Sequence, residues 1–203
     1  MYPKIRALWA LSKDGYLAGE GWFQSFSSRN AVNANGSPIP WINYSMLHFL
    51  IPRMKNDISM LEYGGGNSTL FWAGRVLEIV TVEHDLLWAH KISEKIAAFP
   101  NASLLVAPDG PEYENAPSKL QKKFDMIVID GIRRTECVSS AVSMLTPSGC
   151  VLLDDSHLAE QKPIFEIMAS YGFKALRISG AKPIQNDFSE ATIFYRLNNV
   201  LEI

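Results

Sequence analysis

The sequence predicts an α/β fold: a doubly wound, mostly parallel seven-stranded sheet with an antiparallel edge strand, preceded by an N-terminal helical lid. Three observations predict it. From Ile58 onward, apolar and β-branched runs alternate with stretches of helical period, the order that produces parallel strands joined by right-handed crossovers. The first run, Ile58-Ser-Met-Leu-Glu62, ends in a carboxylate and passes through Tyr63 into Gly64-Gly-Gly66-Asn67-Ser68-Thr69. That layout of strand, tight turn and helix start brings backbone N–H groups close to a nucleotide-like ligand. Finally, the first five strands each end in or just before a carboxylate: Glu62, Glu83, Asp109, Asp130 and Asp154-Asp155.

Composition narrows the function classes. With 203 residues, 47% hydrophobic and 20% charged, the chain has apolar content for one substantial core. A formal net charge of -2 and the absence of any basic block give no electrostatic footprint for nucleic acid. Cys137 and Cys150 are too few for a disulfide framework and form no C-x-x-C pair, so both read as buried thiols. The apolar stretch Ala7–Leu11 is too short for a secretory signal. No uninterrupted apolar run approaches the ~20 residues of a membrane span. The expectation is a cytoplasmic protein with no membrane partner.

Residues 1–57 lack the strand-helix alternation and read as a lid or cap segment, with 58–203 as the ligand-binding domain. A short helix over Pro3–Leu17 leads to an aromatic stretch, then to the loop Asn35–Pro40 and a helix over Trp41–Met54. Trp22, Phe23, Arg29 and Trp41 are candidates to line an acceptor pocket; packing onto the sheet, or a homodimer contact, is the alternative for the aromatics. Strands are then expected at 58–62, 77–83, 102–107, 124–129 and 150–153. The first helix is capped by Asn67 or Ser68 and closed by Gly74. The second, Asp85–Phe99, carries Trp88, Ile92, Ile96 and Phe99 on one face. Pro108-Asp109-Gly110-Pro111 opens a polar loop through Lys123, and Phe124–Ile129 has the continuous apolar character of a strand covered on both faces. A helix over Thr135–Leu145, a turn at Thr146–Gly149, and a helix from Pro163 to Tyr171 follow. Residues 173–178 and 191–197, separated by a loop, read as an antiparallel pair at the edge.

Ligands of such sheets sit beyond the carboxyl ends of the strands, where the strand order reverses. Singly, each strand-end acid also reads as a turn-former, a helix cap or a solvated end; five on one rim point to a site. A dinucleotide fingerprint would need a third glycine at position 69, which is Thr69. The pattern Glu62-x-Gly64-x-Gly66 instead resembles motif I of the class I S-adenosylmethionine-dependent methyltransferases, of Rossmann-like fold. The resemblance covers roughly 58–197. It implies S-adenosylmethionine as cofactor, with Glu62, Gly64, Gly66, Asn67 and Ser68 around its methionine part, Glu83 on the ribose hydroxyls and Asp109 beside the adenine.

A narrower resemblance, to the catechol, caffeoyl-coenzyme A and macrocin O-methyltransferases, rests on Asp130 and the pair Asp154-Asp155. It implies a divalent cation such as Mg²⁺ held by Asp130, Asp154 and Asp155, because three oxygen ligands on one rim suit octahedral coordination; converging carboxylates need a cation or a basic partner, and Arg133 or Arg134 is the alternative to the metal. Asp130 and Asp154 would then be catalytic through the metal, which lowers the pKa of an acceptor hydroxyl. The catechol type has a Lys base three residues after the strand-4 Asp. Here that residue is Arg133, which stays protonated. His157 takes its place as the expected base, a metal ligand or a surface residue being its alternatives. The expected activity is O-methylation of a small-molecule diol, phenol or sugar. An NAD-linked oxidoreductase and a non-catalytic cofactor-binding protein are the competing classes.

Overall fold

Alternation within the strands decides which way the layers build. In the computed structural model, which describes residues 2–203, neighbouring strand residues enter two different cores. Met60, Ile79, Met126 and Leu152 face one side of the sheet. Leu61, Val80, Ile127 and Val151 face the other. A period of two with apolar residues at both phases requires cover on both faces.

The chain supplies that cover in sequence order. The N-terminal segment forms α1 (Pro3–Asp14), α2 (Tyr16–Gly19), α3 (Trp22–Ser28) and α4 (Tyr44–Leu50), the last continued by a 3-10 turn at Ile51–Arg53. Then come β1 (Ser59–Tyr63), α5 (Asn67–Ala73), β2 (Glu78–Glu83), α6 (Leu86–Ile96), β3 (Ala102–Val106), α7 (Pro111–Asn115), β4 (Phe124–Ile129), α8 (Arg134–Ser143), β5 (Leu145–Leu153), α9 (Lys162–Ser170), β6 (Lys174–Gly180) and β7 (Ser189–Tyr195). Tyr44, Met46, Leu47 and Leu50 of α4 and Phe71 and Trp72 of α5 fill one core. Tyr113 of α7, Cys137, Val138 and Ala141 of α8, and Ile164 and Met168 of α9 fill the other.

The strand order is β3-β2-β1-β4-β5-β7-β6. The pairs from β3 through β5 are parallel, while β7 runs antiparallel to both β5 and β6. The order reverses between β1 and β4, which leaves a crevice above those two strands.

Three local expectations are corrected. Thr146-Pro-Ser-Gly149 is part of β5, not a turn: the register between Phe124 and Met126 of β4 is irregular there, and such a bulge tolerates a proline. The helix expected over Trp41–Met54 is confined to Tyr44–Leu50, because Asn43 accepts the Met46 N–H at 2.8 Å and so fixes the start. Trp88 is not on the inward face of α6; it is 40% exposed, while Ile92 and Ile96 are buried. Helix α1 buries none of its residues and lines no part of the crevice, and of residues 2–57 only Arg29–Ala31 and Trp41 line it; Met1 lies outside the described residues.

The crevice floor is a glycine-to-glycine contact. Gly64, just past β1, has φ +89°, and a Cβ there would stand 2.7 Å from the Gly131 Cα. A Cβ on Gly131, just past β4, would stand 2.0 Å from the Tyr113 hydroxyl. Gly131→Ala is therefore expected to lower stability by about 1–3 kcal/mol through overpacking, read as a shifted urea midpoint at unchanged m-value. An unshifted midpoint would mean that the β1–β4 junction is looser than this geometry.

Candidate functional site

Above the Gly64–Gly131 contact opens a cavity of about 600 Å³, lined by the loop Gly64–Ser68, Glu83–Asp85 and Trp88, and Asp130–Ile132. Arg29–Ala31 and Trp41 from the N-terminal segment, and Arg134, Asp155, Lys182, Ile184 and Gln185, close its other side. Its size is in the range of roughly 300–1,000 Å³ typical of small-ligand sites.

The loop is shaped from below by Glu62. That side chain is fully buried and does not line the cavity. Its Oε2 accepts the Thr69 hydroxyl at 2.6 Å and the Thr81 hydroxyl at 3.0 Å. Thr69 Oγ1 in turn accepts the Gly66 N–H at 3.1 Å. Thr69, the residue that breaks the dinucleotide fingerprint, is thus the link between acid and loop. Glu62 Oε1 has no partner. Burial is the main cause that pushes this carboxyl up to about 7, against the hydrogen bonds from Thr69 and Thr81.

Glu83 works at the surface of the same loop. Its Oε2 accepts the Gly65 N–H at 3.1 Å and its Oε1 accepts the N–H groups of His84 and Asp85 at 2.8 and 2.9 Å. Trp88 clamps the loop from above, its indole N–H donating to the Gly65 carbonyl at 2.8 Å. Gly65 is held between them: a Cβ there would meet Thr81 Cγ2 at 2.7 Å and Ile92 Cδ1 at 2.9 Å. Gly66 differs. A Cβ would meet nothing within 4 Å, so within the chain any residue fits there, and the space beside it belongs to the cavity. Asn67 ties the loop to the N-terminal segment by donating to the Ala31 carbonyl at 2.8 Å, and Ser68 lines the cavity.

At the other end, β4 and β5 deliver their acids to two cations. Arg134 lies across both strand ends: its Nη2 donates to the Asp130 carbonyl at 3.1 Å and to Asp130 Oδ1 at 3.2 Å, and its Nη1 donates to the Asp154 carbonyl. Lys182, 3% exposed, donates to Asp154 Oδ2 at 2.6 Å and to Asp155 Oδ1 at 2.8 Å. Asp154 Oδ1 is left without a partner. Asp130 lies well above the usual carboxylate range because of burial first and the neighbouring Asp154 second, partly offset by Arg134 and Lys182.

Several expected site residues are therefore displaced. Among the described residues no three His, Cys, Asp or Glu side chains come together as a metal-binding group. The Asp130, Asp154 and Asp155 set does not fit a divalent ion, because an ammonium already stands between Asp154 and Asp155. Asp154 itself is fully buried and outside the cavity lining, so it is a partner of Lys182 and not a group that meets ligand. His157 lines no part of the cavity; its Nδ1 accepts the Glu190 N–H at 3.3 Å and its ring packs on Phe188. Asp109 is also outside the lining, facing Arg133 at 3.8 Å. Arg133 is turned away, donating to Glu114 at 2.6 Å. Trp22 and Phe23 lie outside the cavity as well, whereas Arg29 and Trp41 line it. Lys182, Trp88 and His84 were not expected. An acid two residues before Asp85-x-x-Trp88 could have signalled a loop clamp, but nothing near Lys182 in sequence signals a partner almost 30 positions away.

No protein-family model and no curated protein matches this sequence. Solved structures do resemble it. A candidate caffeoyl-CoA O-methyltransferase from Staphylococcus aureus superposes with a TM-score of 0.60 at 15% identity, over 95% of this chain and 98% of that one. An rRNA methylase from Streptococcus thermophilus gives 0.58 at 17% identity, over 75% and 95%. A candidate methyltransferase from Streptococcus mutans, solved in complex with SAH, gives 0.55 at 13% identity, over 73% and 94%. At these identities the likeness establishes the fold, the Rossmann-like fold of class I methyltransferases.

The buried carboxyl of Glu62 links loop geometry to pH. Its folded pKa of about 7 exceeds the ordinary value of 4.5, so the native state holds a proton that the unfolded chain has released. The stabilisation is complete below pH about 4.5 and is lost as pH rises through about 7. Between pH 5 and 8, wild-type stability is expected to fall relative to Glu62→Gln by on the order of 3 kcal/mol, measured by urea unfolding of both proteins. Parallel pH curves would show that Glu62 is already ionised in the fold.

Proposed function

We propose that this chain is an S-adenosylmethionine-dependent methyltransferase acting on a hydroxyl of a small molecule. The observation that carries the reading is Gly66. The chain itself places nothing against it, yet it borders a cavity at the switch point of the sheet, beside the acid that ends β2. A glycine that its own fold does not need is accounted for by a ligand that approaches the backbone closely. The fold neighbour that holds SAH supports the choice of ligand. The competing dinucleotide reading would need a glycine where Thr69 is occupied by Glu62 and the Gly66 N–H.

In this reading Gly64–Ser68 hold the methionine part and Glu83 takes the ribose hydroxyls, since Oε2 has only one partner and keeps acceptor capacity. Trp88, exposed on one side and anchored on the other, offers a face for the adenine. The cofactor supplies a methyl group on a sulfonium: the acceptor oxygen forms the new O–C bond while the S–C bond pair remains on sulfur. In the same reading Asp130 takes the hydroxyl proton. It lines the cavity, and its Oδ2 makes no hydrogen bond within the protein. Arg29 and Trp41 stand on the acceptor side, and the protein's contribution to rate is proximity and alignment. A small-molecule acceptor is favoured by the size of the cavity, about 600 Å³, and by a formal net charge of -2, which offers no excess of positive charge to nucleic acid.

Isothermal titration with S-adenosylhomocysteine, with NAD as the comparison, tests the assignment. Homocysteine-form cofactor is expected to bind and NAD not to; the reverse would overturn the reading. Glu83→Ala should lose about 1–3 kcal/mol of that affinity. Gly66→Val should lose affinity at unchanged thermal stability, since its side chain would enter the ligand's space and not the core. Equal binding by Gly66→Val and wild type would remove the observation on which the reading stands.

A further inference from the structure

Lys182 is built into the acceptor end of the cavity. It follows β6 in a segment held by α4 and its cap: the Tyr44 N–H donates to the Ala181 carbonyl at 2.8 Å, and Asn43 Nδ2 donates to the Ile178 carbonyl at 3.0 Å. Its Nζ stands 5.7 Å from the centre of the Trp41 ring. An ammonium has three N–H bonds. Two of them are taken by Asp154 and Asp155, and the side chain borders the cavity. Burial alone would lower its pKa, but Asp154, Asp130 and Asp155 outweigh that and hold the ammonium above its ordinary range.

We propose that Lys182 is the resident cation of this site: it occupies the place among the strand-end carboxylates where a divalent ion would have to sit, and it presents its remaining N–H to the acceptor oxygen, so that methyl transfer needs no metal. This rests on the methyltransferase reading above. The balance of the step is unchanged by Lys182, which stays protonated throughout. The acceptor O–H bond gives its proton to Asp130, the O–CH₃ bond forms and the S–CH₃ bond breaks. Lys182 stabilises the charge that develops on the oxygen as the proton leaves, the task a metal performs elsewhere. Arg134 is spread over Asp130 and the two strand-end carbonyls, and Lys182 is the ammonium that borders the cavity.

Mn²⁺ alone is the probe, followed by electron paramagnetic resonance on chelator-treated protein. Wild type is expected to leave Mn²⁺ free. Lys182→Ala uncovers the carboxylates and is expected to gain a Mn²⁺ site, lost again in the double variant with Asp155→Asn, and its melting temperature should rise with Mn²⁺ where that of wild type does not. Tight Mn²⁺ binding by wild type that Asp155→Asn removes would overturn the proposal, as would a folded Lys182→Ala that gains none. If Lys182→Ala does not fold, Lys182→Met, which keeps the stem and removes the charge, decides through activity. On whichever diol, phenol or sugar of a test panel wild type methylates, turnover should survive EDTA in wild type and fall about 100-fold in Lys182→Met, with S-adenosylhomocysteine affinity kept. Unchanged turnover in that variant overturns the role of Lys182; failure of wild type to bind S-adenosylhomocysteine overturns the methyltransferase reading and is a separate result.

Discussion

Carboxylates placed at the ends of parallel strands, buried like Glu62, Glu83 and Asp154 or part-buried like Asp130 and Asp155, need partners, and this constraint organises the upper rim of the molecule. Three solutions are used. Glu62 is given hydroxyl donors and is pushed toward its neutral form. Glu83 is given backbone N–H groups from the loop after β1 and from the residues that lead into α6. Asp130, Asp154 and Asp155 are given Arg134 and Lys182. In each case the partner belongs to a segment that must be positioned anyway, so satisfying the charge also fixes the site. Leaving such an acid unpaired would cost several kcal/mol.

The constraint reaches the N-terminal segment through Lys182. That residue can meet Asp154 only if the chain after β6 bends over the end of β5. The bend is held by Tyr44 and Asn43, with Gly180 close to Ser45. A segment without strands of its own is thereby bound to the sheet, and its Trp41 and Arg29 arrive at the cavity wall. Helix α1 takes no part in this. Ile5, Leu8, Trp9 and Leu11 remain exposed, and nothing in the structure shows what covers them.

Packing at the switch point complements the charges. Glycines at 64 and 131 let the ends of β1 and β4 approach backbone to backbone, whereas Gly66 leaves open space that the fold does not fill. The same residue type thus does two jobs within a few ångströms. One is a steric requirement of the protein and the other a vacancy at the cavity wall.

Much of this was legible in the residues in order. Alternating apolar runs dictate parallel strands because both phases of a strand must be buried, and Glu62-x-Gly64-x-Gly66 marks the loop because a strand entering glycines has few other uses. The local pattern also placed Glu83, Asp130 and Asp155 on one rim. It could not say which acids face inward: Asp154 and Asp155 are adjacent, yet the left-handed backbone of Asp155, φ +50°, turns only that side chain toward the cavity. Arg134, four residues past Asp130, was legible as a basic partner of the cluster, but Lys182 was not. Lys182 is separated from Asp154 by α9 and β6, and their contact exists because β6 and β7 fold back as an antiparallel pair beside β5. Strand positions follow from short-range periodicity; the partner of a buried charge is decided by which distant segment the closed sheet brings within 3 Å, and that is settled only when the chain has folded.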